Sequence, residues 1–267
     1  MTKTVFITGS TDGIGLAAAE LLAAEGHPVI LHGRSAEKLE AAKAAVTAAA
    51  AEGKVSGYLA DLSSLAAVGA LAEAVAAEGP LDAIINNAGI LRTPESRTAE
   101  GLDIRFAVNT IAPYLLTRRL LPSLSAKARV VNVSSAAQAP VDLRALAGGG
   151  RLGDMAAYAQ SKLAITMWSR AMSKAQGPAI IAVNPGSLLG SKMVREGFGV
   201  AGGNIGKGAR ILAQAATADT FAEANGKYFD NDAGRFGNPH PDALDPQRCA
   251  AVVQAIEDVL SRLGIAP

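Results

Sequence analysis

The chain has 267 residues, 49% of them hydrophobic and 18% charged, with a formal net charge of +1. This composition excludes a disordered chain, and the near-neutral charge gives no electrostatic case for nucleic acid or an anionic membrane surface. A lone cysteine, Cys249, excludes an internal disulfide framework and cannot build a thiolate metal site.

The length suits one large α/β domain spanning residues 1–267, and no repeat, charge run or linker marks a second. No apolar run approaches a membrane span, and the first residues lead into a strand pattern without a signal peptide's apolar stretch. A soluble cytoplasmic protein is expected, with neither nucleic acid nor membrane insertion.

Residues 4–8 are a short β-branched and aromatic run, followed by Gly9, Ser10, Thr11, Asp12, Gly13, Ile14 and Gly15, then an Ala/Leu-rich helical pattern. In a strand, glycine turn and helix, the glycines admit backbone amides to a diphosphate and the helix N-terminus adds its unpaired N–H groups. A plain tight turn is the alternative. The second strand ends at Gly33-Arg34. An acidic residue there would accept from a ribose 2′-hydroxyl, whereas Arg34 beside a small residue leaves room and charge for a 2′-phosphate. NADP(H) is preferred over NAD(H), although an inward-facing Asp12 would repel that phosphate.

Ser35 is placed to cap the next helix, and Ser63 or Ser64 the one after. Between them, a third strand ends in Asp61-Leu62, where the carboxylate can accept from an adenine amino group or cap the helix. The fourth strand ends in Asn86-Asn87-Ala88-Gly89. The small pair lets a flat ribose lie close, and the two amides can lock neighbouring strands; an ordinary turn is the alternative.

Tyr158 and Lys162 lie four apart in a run rich in helix formers, so a helix stacks phenol and ammonium on one face. The ammonium should draw the phenol from about 10 toward working pH and make it a general acid or base. Taken alone, the pair reads more readily as a solvated surface pair.

The glycine turn opening with Thr8, the Asn-Asn-Ala-Gly strand end and Tyr158-Ala159-Gln160-Ser161-Lys162 together resemble the short-chain dehydrogenase/reductase family. Phe106-Ala107-Val108-Asn109, Ser134-Ser135 and Asn184-Pro185-Gly186 extend the likeness over roughly residues 4–192. The resemblance implies a single Rossmann-type, doubly wound, mostly parallel sheet with helices on both faces. It also implies hydride transfer between NADP(H) and a small-molecule carbonyl or alcohol. Tyr158 is then the proton donor, Ser135 the partner of the substrate oxygen, and Lys162 the holder of the nicotinamide ribose. Asn109 is cast as the residue retaining a water that links Lys162 to solvent, and Ser134 as pointing toward cofactor or core. Pro185 and Gly186 lead past the nicotinamide amide. The alternatives are a non-catalytic NADP(H) sensor and a reductase of an activated carbon–carbon double bond.

The long 136–157 connection, with 98–103 and 160–164, resembles the branch of retinol-dehydrogenase-like and protochlorophyllide-reductase-like proteins, which favours apolar carbonyls. Gly148, Gly149 and Gly150 suggest a mobile loop near the substrate entrance, or an inert insertion. Residues 187–208, with Met193, Val194, Phe198 and Val200 among glycines and with Ser191 as a candidate hydroxyl, suggest an apolar lid. Helices are expected over 205–216 and from Asp245-Pro246 onward, with a last strand at 227–229. Asp230-Asn231-Asp232-Ala233-Gly234 lacks the later glutamate of a calcium loop and reads as a turn, so no metal is expected. Relatives pair through the helices that here carry Asn109 and Tyr158, so a homodimer or homotetramer is open, unless the long connection obstructs it.

Overall fold

Successive side chains of a strand face opposite ways, so a strand covered on both sides must be apolar throughout. In the computed structural model, which describes residues 2–174, 176–190, 199 and 201–267, β1 (Val5–Ile7) and β2 (Val29–Gly33) are buried at every position. β3 (Val55–Leu59) is only partly covered, whereas β4 (Leu81–Asn86), the latter half of β5 (Leu124–Val133) and β6 (Ala179–Asn184) return to near-complete burial. β7 (Tyr228–Asp230) and β8 (Arg235–Gly237) complete an eight-stranded sheet ordered β3-β2-β1-β4-β5-β6-β7-β8. Every neighbouring pair is parallel except β7 with β8.

The alternation sorts the core into two layers. Val5, Ile7, Val29, Leu31, Ile85 and Val183 pack with α1 (Gly13–Ala24), α2 (Ala36–Ala49) and a later helix. Phe6, Ile30, Ile84, Val130 and Ile180 pack on the opposite face with α3 (Leu65–Ala76) and the helices after β4. There, α4 (Ile104–Phe106) runs through a π-helical turn, Ala107–Ile111, into α5 (Ala112–Leu120). α6 (Leu143–Leu146) and α7 (Asp154–Met172) come after β5. α8 (Ile205–Thr217) joins the α1 side and α9 (Pro246–Arg262) the α7 side. Burying each Leu, Ile, Val or Phe contributes about 1.5–3 kcal/mol, far more than the helix propensity of Ala-rich α1 and α2. Ser35, Ser64 and Asp245 accept from first-turn amides as their positions predict.

Four features differ from the sequence expectation. The Asp230-to-Gly234 turn closes a hairpin onto β8, an antiparallel strand in a stretch that reads as a Gly/Pro-rich tail. Residues 205–208 begin α8, so they are no part of a lid. The glycine run is stapled: Arg97 donates to the carbonyls of Gly101 and Gly148, at 2.5 and 2.8 Å, and to that of Gly150. Leu146 beside it is fully buried, and none of the three glycines lines the cavity at the strand ends. Finally, α9 packs against α7, and Glu257 takes hydrogen bonds from Tyr114 and Arg118 of α5. The last helix thus occupies one face of α7, the helix bearing Tyr158. Among the described residues, no helix is long and apolar enough to cross a membrane.

Candidate active site

Strand order reverses at β1, which neighbours β2 on one side and β4 on the other, and such a switch point leaves a crevice at the strands' C-terminal ends. Here it is a cavity of about 600 Å³. Of the catalytic and cofactor-binding residues expected from the sequence, all but Ser10, Gly15 and Asn109 line it.

The glycine turn is packed backbone to backbone against the β4 tip. Gly9 has φ of +63°, and a Cβ there would lie 2.8 Å from the Ala88 Cα. A Cβ on Gly15 would lie 2.3 Å from Asn87 Nδ2 and 2.4 Å from the Gly9 carbonyl. Asn87 Nδ2 donates to the Thr8 and Gly9 carbonyls, both at 2.9 Å. Asn86 Nδ2 reaches Asn132 Oδ1 at 2.8 Å and Thr117 Oγ1 at 3.1 Å. Both amides therefore lock strands, and Ala88 and Gly89 supply the close surface. Ser10 turns inward, donating to the Ile7 carbonyl and accepting from His32 N–H, so its hydroxyl is structural.

His32 has a role that the sequence pattern alone did not bring out. Its Nδ1 accepts from Gly9 N–H at 3.1 Å, which puts the ring proton on Nε2, 3.1 Å from the Ala60 carbonyl. Burial pushes its pKa down to about 4, so at neutral pH an uncharged imidazole ties together the ends of β1, β2 and β3. A histidine ending an apolar strand beside a glycine turn was the available signal.

The N-terminus of α1 opens on the cavity. Asp12 occupies its N-cap, yet its side chain makes no cap hydrogen bond and instead lies 3.9 Å from Lys38 Nζ. The first-turn N–H groups thus face the cavity without a side-chain cap. Both side chains are more than half exposed, so this pair offsets the Asp12 charge only weakly. Lys38, unremarked in the sequence, lines the cavity with Arg34. Asp61 Oδ1 accepts from the amide and hydroxyl of Ser63, at 2.9 and 2.8 Å. The glycine turn and the uncapped helix start could hold a dinucleotide diphosphate, with Arg34 and Lys38 further along the cavity wall.

At the other end, α7 carries Tyr158 and Lys162 on one face, the ammonium 5.8 Å from the phenol ring centroid. The expected drop in the phenol pKa is not found. Burial raises it, with only a partial opposing effect from a hydrogen bond to Ser135. Lys162 Nζ is drawn aside to the Val133 carbonyl at 2.7 Å, and burial brings its own pKa down to about 8. Ser134 points into the core, 2.7 Å from Thr166 Oγ1. Asn109, fully buried in the π turn, exchanges hydrogen bonds with the Ile90 amide and carbonyl, at 2.8 and 2.9 Å, and donates to Ser161 Oγ at 3.0 Å. Its side chain thereby fastens the loop after β4 to α7.

The chain leaving β6 is held from β7. Asn184 Nδ2 donates to Asp230 and Asp232, Asn231 Nδ2 to the Pro185 carbonyl, and Ser187 gives both its amide and hydroxyl to Asp232. Beyond it, Gly203 N–H donates to the Leu188 carbonyl and Gly190 N–H to the Gly203 carbonyl, both at 2.7 Å. Ser191, Met193, Val194, Phe198 and Val200 lie outside the described residues.

Comparison with known proteins identifies the family and the fold. Residues 3–198 match the short chain dehydrogenase family model. Human retinol dehydrogenase 13 is 34% identical over 251 residues, covering 85% of this chain and 76% of the relative. A crystal structure of an uncharacterized protein from Mycobacterium Paratuberculosis superposes with a TM-score of 0.80 at 28% identity, covering 97% of this chain and 93% of the other. The RhlG/NADP active-site complex of Pseudomonas aeruginosa gives 0.67 at 26% identity, with 87% and 95% covered.

Proposed function

The chain belongs to the short-chain dehydrogenase family, in its retinol-dehydrogenase-like branch, and on that premise we propose that it reduces an apolar carbonyl with NADPH. The carrying observation is that a buried neutral phenol, a serine hydroxyl and a buried lysine converge in the cavity that contains the glycine cradle. When bound, the nicotinamide supplies the hydride. Gly9, Gly13 and the start of α1 hold its diphosphate, and Arg34 with Lys38 receives a 2′-phosphate. The NADP named in the Pseudomonas complex supports that choice.

Ser135 holds the carbonyl oxygen and Tyr158 delivers the proton. Burial keeps the phenol protonated at neutral pH, so it has a proton to deliver to a carbonyl oxygen. Lys162, titrating at about 8, orients the ribose and stands behind Tyr158 as a charge; reduction should weaken as pH rises through that value. Ile90, Leu91, Ile104, Val108 and Leu189 give the cavity an apolar lining suited to an apolar substrate.

The test is NADPH and NADH oxidation against a panel of apolar aldehydes, ketones, quinones and enones. Tyr158→Phe should cut turnover by about 100-fold or more while NADPH binding persists, and Arg34→Ala should narrow the gap between NADPH and NADH. A Phe variant as fast as the parent would overturn the proton-donor assignment. A saturated carbonyl as product would instead mark a double-bond reductase.

A further inference from the structure

Chain geometry leaves Ser135 without support from the sheet. β5 ends at Val133, and Ser134 N–H makes the last sheet bond, to the Val183 carbonyl at 2.8 Å. Ser135 is the first residue without a ladder partner, yet its hydroxyl must hold one position if it is to meet a substrate oxygen. Two side chains take the ladder's place. Tyr228, the first residue of β7, donates its phenol proton to the Ser135 carbonyl at 3.2 Å, and Gln138 Nε2 donates to the same oxygen at 2.9 Å. Both lone pairs of that carbonyl are then engaged, which fixes the peptide plane after Ser135. The hydroxyl is fixed in turn by accepting from Ala137 N–H at 3.1 Å.

The orientation of Gln138 is itself dictated. Its Oε1 accepts from His240 N–H at 3.0 Å, so only Nε2 can face Ser135. His240 opens a short 3₁₀ turn, Pro241–Leu244, and its Nδ1 accepts from Asp242 N–H. Tyr228 is 5% exposed, and burial with nearby Asp230 and Asp232 raises its pKa, so it remains a donor at any working pH. Neither Tyr228 nor Gln138 lines the cavity.

We propose that Tyr228 and Gln138 are positioning residues that hold the Ser135 hydroxyl on target through its backbone carbonyl, with the segment at His240 as their fixed post. The catalytic end of the site therefore extends 105 residues past Ser135, into a part of the chain beyond the recognisable motifs. This rests on the reading of Ser135 as the partner of the substrate oxygen.

The test combines turnover with hydrogen exchange on the full chain. With benzaldehyde and NADPH as the probe pair, Tyr228→Phe and Gln138→Leu should each lower kcat about ten-fold with the NADPH KM unchanged. In a Ser135→Ala background, neither substitution should lower it further. Exchange of the Ala137 amide should quicken by about ten-fold in Tyr228→Phe, while β1 amides keep their parent rates. Unchanged Ala137 exchange overturns the proposal whether or not benzaldehyde is reduced. Equal losses with and without the Ser135 hydroxyl also overturn it, because Tyr228 would then act by another route. If Ser135→Ala alone leaves kcat intact while Ala137 exchange responds, the catalytic reading of Ser135 has failed and the positioning geometry stands.

Discussion

The wall built by β1, β2 and β4 and the wall built by β5, β6 and β7 face one cavity but are held by different forces. On the first, main chain touches main chain: Gly9 and Gly15 have no space for a methyl group, and a neutral His32 closes the gap to β3. On the second, polar side chains hold the backbone, with Asp232 on Ser187 and Asn184 and Tyr228 on Ser135 from far along the chain, and Gln138 on Ser135 from nearby. The steric wall should fail abruptly when changed. The polar wall should loosen in graded steps, because each hydrogen bond lost is worth only about 0.5–1.5 kcal/mol net.

The largest effect should come from Gly15→Ala. Its Cβ would meet a backbone carbonyl and a locked amide, neither able to retreat, and overpacking of that kind costs about 3 kcal/mol. Urea unfolding should show the loss, and NADPH titration should show binding abolished; a stable variant that binds NADPH would break the distinction between the walls.

The next effect depends on pH. The folded pKa of His32, about 4, lies below the ordinary histidine value of 6.5. The unfolded chain therefore takes up the proton more readily. Stability supplied by the neutral ring is complete above about 6.5 and is lost as pH falls toward about 4. Between pH 7 and 5 the parent should lose roughly 2 kcal/mol more than His32→Gln, which cannot charge. Matching urea midpoints for the two proteins across that interval would remove His32 from the steric wall.

Asp232→Asn gives the smallest change. The residue is well exposed, and the variant keeps one acceptor for Ser187, so stability should drop by about 1 kcal/mol. NADPH affinity should weaken about five-fold through the loop after β6. A loss as large as that of Gly15→Ala would show that the two walls do not differ in kind.

The same division decided how much of the molecule was legible in the sequence. The glycine turn, Asn86-Asn87-Ala88-Gly89 and the Tyr158–Lys162 spacing are local patterns at element ends, and with the strand rhythm they made the sheet, its covering on both faces and the first wall apart from His32 readable. Tyr228 and Asp232 were not, because the groups they hold become neighbours only once distant strands pair: Tyr228 is 93 residues from Ser135, and Asp232 is 45 from Ser187. Gln138 is only 3 residues from Ser135, but its orientation depends on His240, 102 residues further on. Arg97 staples glycines about 50 residues away, so a run that reads as loose is tied down. β8 is three residues between glycines and prolines, too short to show alternation. The spacing of Tyr158 and Lys162 predicted their adjacency, but a pKa depends on burial, which spacing does not encode.

The π turn at Ala107–Ile111 constrains how this gene can vary. An extra residue in one helical turn rotates the rest of the helix by about 100° relative to an unbroken α-helix. Along one rod Arg105 reaches Asp154 before the turn, Asn109 grips Ile90 within it and Tyr114 meets Glu257 after it. Deleting any single codon across this stretch would restore a regular helix and swing the whole Tyr114 face away from α9. Substitutions there change one contact at a time, whereas a change in length changes all of them, so this short segment should tolerate replacement far better than insertion or deletion.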